Sequence, residues 1–297
     1  MQSPRDVKAK CTLSKKGEGP MTDYEKYLFD LNGYIVVPNA LTPEQVKALN
    51  EAIDHNQDKI RMREGELSLS GGSPALKRDH GRGDILGLLV WPKPWCQPFR
   101  DLLSLPGTVR YMLDLIGEGF RYANANGISM TAGGEGHVFH GGGAPMTHYF
   151  YKFQDGKIYN GLMTVCYQLS DINPGDGGFA CIPGSHKANY PCPLEVKRLE
   201  VDLGCVRHLP MKAGDVLIFT EALTHGTLPW TAAHERRTLL YRYSPGTMLF
   251  SNESIHPQYA SFAEELTPLQ RAIMEPPHYS NRPNLTALLE EEEKARK

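Results

Sequence analysis

Short apolar runs alternate with polar positions through the middle of the chain, from about residue 122 to residue 245. Clusters of glycine and proline separate these runs, a pattern that is typical of many short strands joined by turns. The predicted strands lie at residues 126–132, 136–140, 161–169, 178–182, 205–210, 215–219 and 237–243. Strands at this density predict a β-sandwich or a β-barrel.

Helical patterns precede and follow this β-rich part. The first runs from about Tyr24 into the apolar residues 32–37, which we predict to be a strand. Thr42 and Pro43 are typical of an N-cap and a first helical position, and they open an amphipathic helix that reaches about residue 59. Further helices are predicted at residues 96–116, with a break at 105–107, and at residues 286–297. The fold class is therefore mainly β with α (α+β), with N-terminal helices packed on the barrel.

Two segments between the predicted helices and strands have a composition of their own. Residues 61–83 are rich in glycine, serine and charge, and a loop of this length is often functional. Residues 149–159 mix aromatic and polar positions around an Asp-Gly pair, which predicts a hairpin. This hairpin is either a lid or wall of a substrate pocket, or a solvent-exposed hairpin with an aromatic face.

The chain divides into three predicted parts. We expect a mobile arm at residues 1–20, a barrel domain with its helices at 21–250, and a helical extension at 251–297.

Composition and charge exclude several classes of protein. The 297 residues include 32 Lys+Arg and 34 Asp+Glu, so a net charge of −2 gives no electrostatic reason to bind nucleic acid or an acidic membrane. No apolar stretch reaches the length of about 18 residues that a membrane span needs. Six cysteines without a CxxC pair argue against a zinc ribbon. We expect a cytoplasmic protein that acts on a small molecule; its oligomeric state is left open.

Histidines carry the first chemical signal, because neutral imidazole is the commonest metal ligand. His137, His140 and His148 lie close together in the sequence. His140 ends a strand-like run and is followed by three glycines, where the backbone can approach a ligand closely. His225 follows the turn-and-strand pattern at residues 214–219. We therefore take His140 and His225 as candidate metal ligands.

An arginine after His225 is a candidate for binding a carboxylate. Arg236 stands eleven positions after His225, at the start of a predicted strand. A guanidinium can grip a carboxylate through two parallel hydrogen bonds. The alternative interpretation is a surface ion pair with Glu235, which would contribute little to stability.

Taken in order, these motifs resemble the phytanoyl-CoA dioxygenase family of Fe(II)/2-oxoglutarate-dependent oxygenases. The resemblance covers the helix and strand at residues 29–37, the PGSHK turn at 183–187, the block at 214–226 and Arg236. It implies a double-stranded β-helix, a jelly-roll, cupin-like barrel with helices outside. It also implies that the protein oxidises a C–H bond of a small organic substrate with O2 and 2-oxoglutarate, giving succinate and CO2 as co-products.

The resemblance further assigns residues to the site. It implies that His140 and His225 bind Fe(II) as the two histidines of a 2-His-1-carboxylate triad. Arg236 then holds the far carboxylate of 2-oxoglutarate, and Thr227 is a further contact of this co-substrate. The family's His-x-Asp motif reads His140-Gly141-Gly142 here, so Gly142 leaves the carboxylate position vacant.

Several ways to fill this vacancy remain open. His148 is a rival first ligand, although the residue two positions later is no acid either. Other carboxylates are candidate substitutes, although each is more typical of an ordinary surface charge: Glu135, Glu221 and Asp155. Chloride at the vacant position would give an iron halogenase, and loss of iron chemistry would give a non-catalytic ligand-binding barrel.

A cupin-type metal site is one more alternative. It would use His137, His140 and His225 with Glu135. The spacing argues against it, because residues three apart on a regular strand face opposite sides.

Overall fold

Two antiparallel sheets form the centre of the structure, which is a computed structural model that describes residues 20–142, 149–251 and 256–296. The strands are β1 (Tyr34–Val37), β2 (Ile60–Met62), β3 (Gly83–Ile85), β4 (Arg121–Met130), β5 (His137–His140), β6 (Tyr151–Gln154), β7 (Lys157–Asn160), β8 (Met163–Gln168), β9 (Gly178–Cys181), β10 (Arg207–His208), β11 (Val216–Thr220), β12 (His225–Leu228) and β13 (Arg236–Ser244). The larger sheet has the order β1-β11-β8-β13-β4-β3-β2, and the smaller sheet has the order β10-β9-β12-β5.

Helices surround this pair of sheets. They are α1 (Asp23–Asn32), α2 (Pro43–His55), α3 (Gln97–Asp101), α4 (Pro106–Leu115), α5 (Leu194–Lys197), α6 (Pro268–Ile273) and α7 (Leu285–Arg296). Thr22 and Thr42 each form a capping box at the start of α1 and α2, which satisfies backbone N–H groups that would otherwise lack partners. The predicted N-cap at Thr42 and the break before α4 are thus confirmed. None of the described helices is both long and apolar enough to cross a bilayer.

Two apolar clusters lie on opposite faces of the larger sheet. The outer cluster packs this sheet against the helices, and alternate residues of β13 belong to it: Leu239, Tyr241 and Tyr243. The interior cluster joins the two sheets and contains Met130, Phe179, Leu217 and Phe219, among others. Because strand residues alternate between faces, the intervening positions of β13 face the interior: Arg236, Thr238, Leu240 and Arg242. A strand with arginines at both ends of its interior face points to a polar cavity between the sheets.

The double sheet with outer helices confirms the predicted fold class, and most predicted strands agree with the observed ones to within a few residues. The hairpin at residues 149–159 is also confirmed as β6 and β7. Asp155 and Gly156 both have positive φ, at 52° and 74°, as the tight turn between paired strands requires. Strand β12 was not predicted, since its four residues include glycine and carry little apolar signal.

The predicted domain limits stay a prediction. Residues 1–19 of the expected arm lie outside the described residues. In the expected C-terminal extension, Leu269, Ile273, Leu285 and Leu289 are buried in the outer cluster. These described C-terminal residues therefore share a core with the N-terminal helices.

Candidate metal centre and co-substrate pocket

The two candidate histidines meet at one edge of the smaller sheet. His140 ends β5 and His225 begins β12, and the two residues are direct partners in the antiparallel pairing. Their ring centroids are 4.3 Å apart. The sheet register therefore brings together two residues that are 85 positions apart in the sequence.

Backbone carbonyls orient both rings. Nδ1 of His140 donates to the Val138 carbonyl at 3.1 Å, and Nδ1 of His225 donates to the Leu223 carbonyl at 2.8 Å. Because a carbonyl only accepts, the proton lies on Nδ1 and Nε2 is left with a free lone pair. Burial, followed by the nearby His225, lowers the pKa of His140 to about 3. Burial also lowers the pKa of His225, only partly offset by Glu221. Both imidazoles are therefore neutral at pH 7, as a metal ligand must be.

A buried carboxylate completes this group. Glu221 directly follows β11 and is only 3% exposed. Its Oε2 lies 3.6 Å from Nε2 of His225. One ligand atom from each of His140, Glu221 and His225 falls within 4.8 Å of the others. Two imidazoles and a carboxylate in this proximity match the donor set of a non-haem Fe(II) site.

The other oxygen of Glu221 is held by the larger sheet. Oε1 accepts hydrogen bonds from Thr164 Oγ1 and, at 3.3 Å, from Arg242 Nε. Arg242 is itself fixed by Asn126, whose Oδ1 accepts from Nη1 at 2.8 Å. Burial alone would raise the pKa of Glu221, but its interaction with His225, the charge of Arg242 and the Thr164 hydrogen bond together lower it. The carboxylate is thus ionised, with Oε2 directed at the histidines.

The interpretation of the candidate carboxylates as surface charges is wrong for two of the three. Glu221 and Glu135 are both buried, and only Asp155, at the hairpin turn, is exposed. Glu135 lies outside the metal group: its carboxylate accepts from Ser68 Oγ at 2.8 Å and from the Leu69 amide at 2.9 Å. Glu135 therefore fastens the long loop before β3. His148 lies outside the described residues.

The sequence argument about His137 is also wrong. In the pairing of β5 with β12, His137 faces Thr227 and His140 faces His225, so β5 has two residues where β12 has only Gly226. This β-bulge turns His137 to the same side as His140, and their ring centroids are 4.3 Å apart. Burial, then the adjacent His140, lowers the pKa of His137 to about 2. The cupin-type set with Glu135 is not assembled among the described residues.

Two glycines allow the backbone after β5 to pack closely against the turn that carries Glu221. Gly141 and Gly142 have φ of 74° and 88°, in the left-handed region that favours glycine. A Cβ on Gly141 would lie 2.4 Å from the Leu223 carbonyl oxygen and 2.6 Å from that of Glu221. The Gly142 amide donates to the Ala222 carbonyl at 2.9 Å. The backbone at positions 141–142 is thus fitted against the turn rather than shaped to present a side chain.

We expect Gly141→Ala to destabilise the metal-free protein and to weaken metal binding. Gly156→Ala is the matched control, because Gly156 has the same φ of 74° but no atom within 4 Å of its added Cβ. Backbone strain should cost the control about 1 kcal/mol. The contact with two carbonyls should cost Gly141→Ala a further 1–3 kcal/mol, roughly. Urea unfolding of both variants measures the difference; equal losses would show that the close contact at Gly141 has no energetic importance.

Arg236 lies in the interior without an acidic partner among the described residues. It is 2% exposed, and Nη1 contacts the sulfur of Met130 at 3.2 Å. Its Nε is buried and has no hydrogen-bond partner among the described residues. Burial lowers the pKa of Arg236 to about 10, so the group stays charged at pH 7. The predicted alternative, an ion pair with Glu235, is wrong for Arg236, because the next residue, Arg237, makes that pair at 2.7 Å.

The surroundings of Arg236 fit a dicarboxylate that extends from the metal group. Thr227 is two residues after His225 on the same face of β12 and is 6% exposed. One position further along, Leu228 pairs with Gly178, and a Cβ on Gly178 would lie 3.2 Å from Arg236 Nε. The guanidinium is thus about 10 Å along the strand from His225. Gln168 adds a second buried donor, Nε2, without a partner in the described chain.

Comparison with known proteins agrees with this arrangement. The sequence profile described as Phytanoyl-CoA dioxygenase (PhyH) matches residues 29–238, more than half of the chain. This chain belongs to the phytanoyl-CoA dioxygenase family. It is an Fe(II)/2-oxoglutarate-dependent oxygenase, with iron as the metal and 2-oxoglutarate as the co-substrate. Comparison with curated protein sequences gives no match.

Solved structures share the fold of this family member. HygX from Streptomyces hygroscopicus, with nickel, 2-oxoglutarate and hygromycin B bound, is 22% identical, with a TM-score of 0.63 over 77% of this chain and 89% of that chain. The α-ketoglutarate-dependent carbocyclase SnoK from nogalamycin biosynthesis is 15% identical, with a TM-score of 0.60 over 90% and 96%. The epimerase SnoN in complex with Fe3+, α-ketoglutarate and nogalamycin RO is 14% identical, with a TM-score of 0.53 over 74% and 82%.

From the sequence, Glu221 is only one of three candidate carboxylates, and Arg242 and Thr164 have no predicted role. Glu221 continues the alternation of Leu217 and Phe219, two residues of the interior cluster, so the same period directs it inward. Arg242 likewise follows Arg236 at an even spacing along β13. Thr164 gives no such signal, since every residue of β8 is buried.

Proposed function

We propose that His140, Glu221 and His225 bind the catalytic Fe(II), with Glu221 in the place of the acid that the family's His-x-Asp motif provides. The observation that carries this proposal is the convergence of three ligand atoms within 4.8 Å. Two neutral histidines and one ionised carboxylate suit Fe(II) and leave coordination positions open for a co-substrate. Glu221 reaches the site from the turn after β11, so the missing acid at Gly142 does not leave the iron short of an anionic ligand.

With 2-oxoglutarate and O2, iron in such a site supplies the oxidising power for attack on a C–H bond, and succinate and CO2 are the co-products. The protein's own residues orient and enclose this centre. Thr164 and Arg242 fix one oxygen of Glu221 so that the other is available to the metal. The rings of Phe179 and Phe219 pack on His225, with centroids 5.8 Å and 4.6 Å away, and keep water from its buried side.

We infer that Arg236 holds the far carboxylate of 2-oxoglutarate and that Thr227 contacts the co-substrate between Arg236 and the iron. A buried guanidinium without an anionic partner is costly, and a bound carboxylate would neutralise it. We also propose that the substrate is a small organic molecule, as hygromycin B is for the HygX structure and nogalamycin RO for the SnoN structure. The five described cysteines are unpaired, which supports the expected cytoplasmic location.

The other functions considered for this chain are not favoured. A halogenase would need chloride at a position left free by the carboxylate, whereas Glu221 provides an ionised carboxylate there. A non-catalytic barrel has no use for a buried, charged ligand set with its lone pairs directed at one point.

We expect Arg236→Gln to weaken 2-oxoglutarate binding by about 10- to 100-fold, because a charged hydrogen-bonded contact contributes roughly 1.5–3 kcal/mol. Iron affinity should change little, since Arg236 is distant from the three ligands. Arg237→Gln is the control: it removes the neighbouring guanidinium, which faces Glu235 and Asp54 on the other side of the strand. Anaerobic titration of the Fe(II) protein with 2-oxoglutarate, followed by the visible charge-transfer band, gives the 2-oxoglutarate affinity of each variant. Titration of the metal-free variants with Fe(II) gives the iron affinity. Equal 2-oxoglutarate affinity in the two variants would refute the role of Arg236.

A further inference from the structure

Two arginines share one buried carboxylate on the interior side of the larger sheet. Asp84, in the middle of β3, is 3% exposed. Its Oδ2 accepts from Arg63 Nε, and its Oδ1 accepts from Arg82 Nε at 3.3 Å. Asp84 pairs with Ile128 of β4, a residue of the interior cluster, so this group faces the cavity and not the solvent side of the sheet.

Each guanidinium uses only Nε on Asp84. The Nη1 and Nη2 groups of Arg63 and Arg82 make no hydrogen bond to any described residue, and they are not sealed from solvent. The side chain of Arg82 is 12% exposed and that of Arg63 is 33% exposed. Asp84 thus holds two guanidinium groups side by side, and their Nη atoms have no hydrogen-bond partner among the described residues. The less exposed Arg82 lies deeper in the cavity, and Arg63 lies nearer its mouth.

This pair lies close to the metal group. Ile128, the partner of Asp84, also pairs with Thr238, which lies on the interior face of β13 two residues after Arg236. The charges of Arg82 and Arg63 contribute to the lowered pKa of His137, whose ring packs beside that of His140. Arg82 also lies near Arg236 and Arg242, since its charge helps to lower the pKa of Arg236 and Arg242 helps to lower its own. The free guanidinium ends therefore border the space between the histidines and the larger sheet.

The charges around this space do not balance. In the described part of the chain, the four arginines of the cavity (Arg63, Arg82, Arg236 and Arg242) face three buried carboxylates: Asp84, Glu221 and, beside Arg63, Glu135. Four positive and three negative charges leave one positive charge in excess. Fe(II) and the 2-oxoglutarate dianion bring equal and opposite charges, so the excess remains when both are bound. A low-dielectric cavity with uncompensated positive charge favours an anionic ligand.

We propose that Arg63 and Arg82 form an oxyanion subsite for the substrate, so that the substrate is a small molecule with a carboxylate or phosphate group. The forked end of a guanidinium can donate two parallel hydrogen bonds to a pair of oxygens on either anion. The subsite holds the anionic end against β3, and the rest of the substrate extends past His137 towards the iron. This inference rests on the proposed function, because it concerns the substrate of that same site.

Binding of simple anions to the Fe(II) protein, kept anaerobic and saturated with 2-oxoglutarate, tests the subsite. The probes are inorganic phosphate, butyrate and, as a cation of similar size, butylammonium, each titrated by calorimetry at constant ionic strength. The variants are Arg82→Gln and Arg63→Gln, either of which leaves Asp84 with one arginine partner. Arg207→Gln, an exposed arginine on β10 at the far edge of the smaller sheet, is the control.

We expect phosphate or butyrate to bind the wild type more tightly than butylammonium, and the tighter of the two anions identifies the oxyanion class. Arg82→Gln and Arg63→Gln should each weaken that anion at least tenfold, while Arg207→Gln leaves it unchanged. The 2-oxoglutarate charge-transfer band should persist in all four proteins. Equal anion affinity in the wild type and both variants, or a preference for butylammonium, would overturn the subsite. A missing band in the wild type would instead refute the proposed function. In that case, the anion affinities of the metal-free wild type and variants, measured by calorimetry, would still test the subsite.

Discussion

Glu221→Ala is expected to lower 2-oxoglutarate turnover by at least about 100-fold, since even residues that only support a metal ligand cost 10- to 100-fold when removed. Loss of this carboxylate takes away the anionic ligand that we propose for the iron. It also leaves Arg242 without its carboxylate partner in the interior. Succinate formation, measured with saturating iron and 2-oxoglutarate, reports the effect.

Glu135→Ala is the matched control for this experiment. Glu135 is the other buried glutamate near the cavity, but its carboxylate is bonded to Ser68 and Leu69. We expect this variant to retain turnover within a few-fold of the wild type. If Glu221→Ala turned over 2-oxoglutarate as fast as Glu135→Ala does, the metal site would have to be formed without the carboxylate.

His225→Ala is expected to abolish stoichiometric iron binding. The imidazole is fixed by the Leu223 carbonyl and buried between two phenylalanine rings, so no other described side chain can take its place at the ligand point. His137→Ala is the control, because the ring of His137 packs beside that of His140 but is outside the ligand group. Iron per protein after anaerobic loading and desalting measures both. An equal iron content in the two variants would mean that the ligand set is misassigned.

The parts of the site that follow strand alternation are predictable from the sequence. His140, His225 and Arg236 stand at strand ends marked by glycine or turn patterns, and the structure brings the two histidines into direct register. Glu221 obeys the same alternation, but an acid at the end of an apolar strand also suits a surface turn. Local pattern does not decide between these two environments, because residues distant in the sequence cover the turn, among them Gly141 after β5 and Thr164 of β8.

Other features depend on tertiary structure alone. His137 reaches the cavity only because a bulge interrupts the pairing of β5 with β12, and the sequence carries no distinct mark of it. The Arg63, Asp84 and Arg82 group forms where a long polar segment returns to the edge of the larger sheet. In the sequence this segment has the composition of a loop, so its short strands and its inward-facing charges are not apparent.

The most direct test of the metal site is anaerobic titration of the purified wild type and of Glu221→Ala with Fe(II) and 2-oxoglutarate, with and without chloride. The charge-transfer band reports iron and co-substrate bound together. We predict a band at one iron and one 2-oxoglutarate per wild-type chain, insensitive to chloride, and a weakened or altered band in Glu221→Ala. The absence of a band in the wild type, or an identical band in the two proteins that shifts with chloride, would contradict a site built from His140, Glu221 and His225.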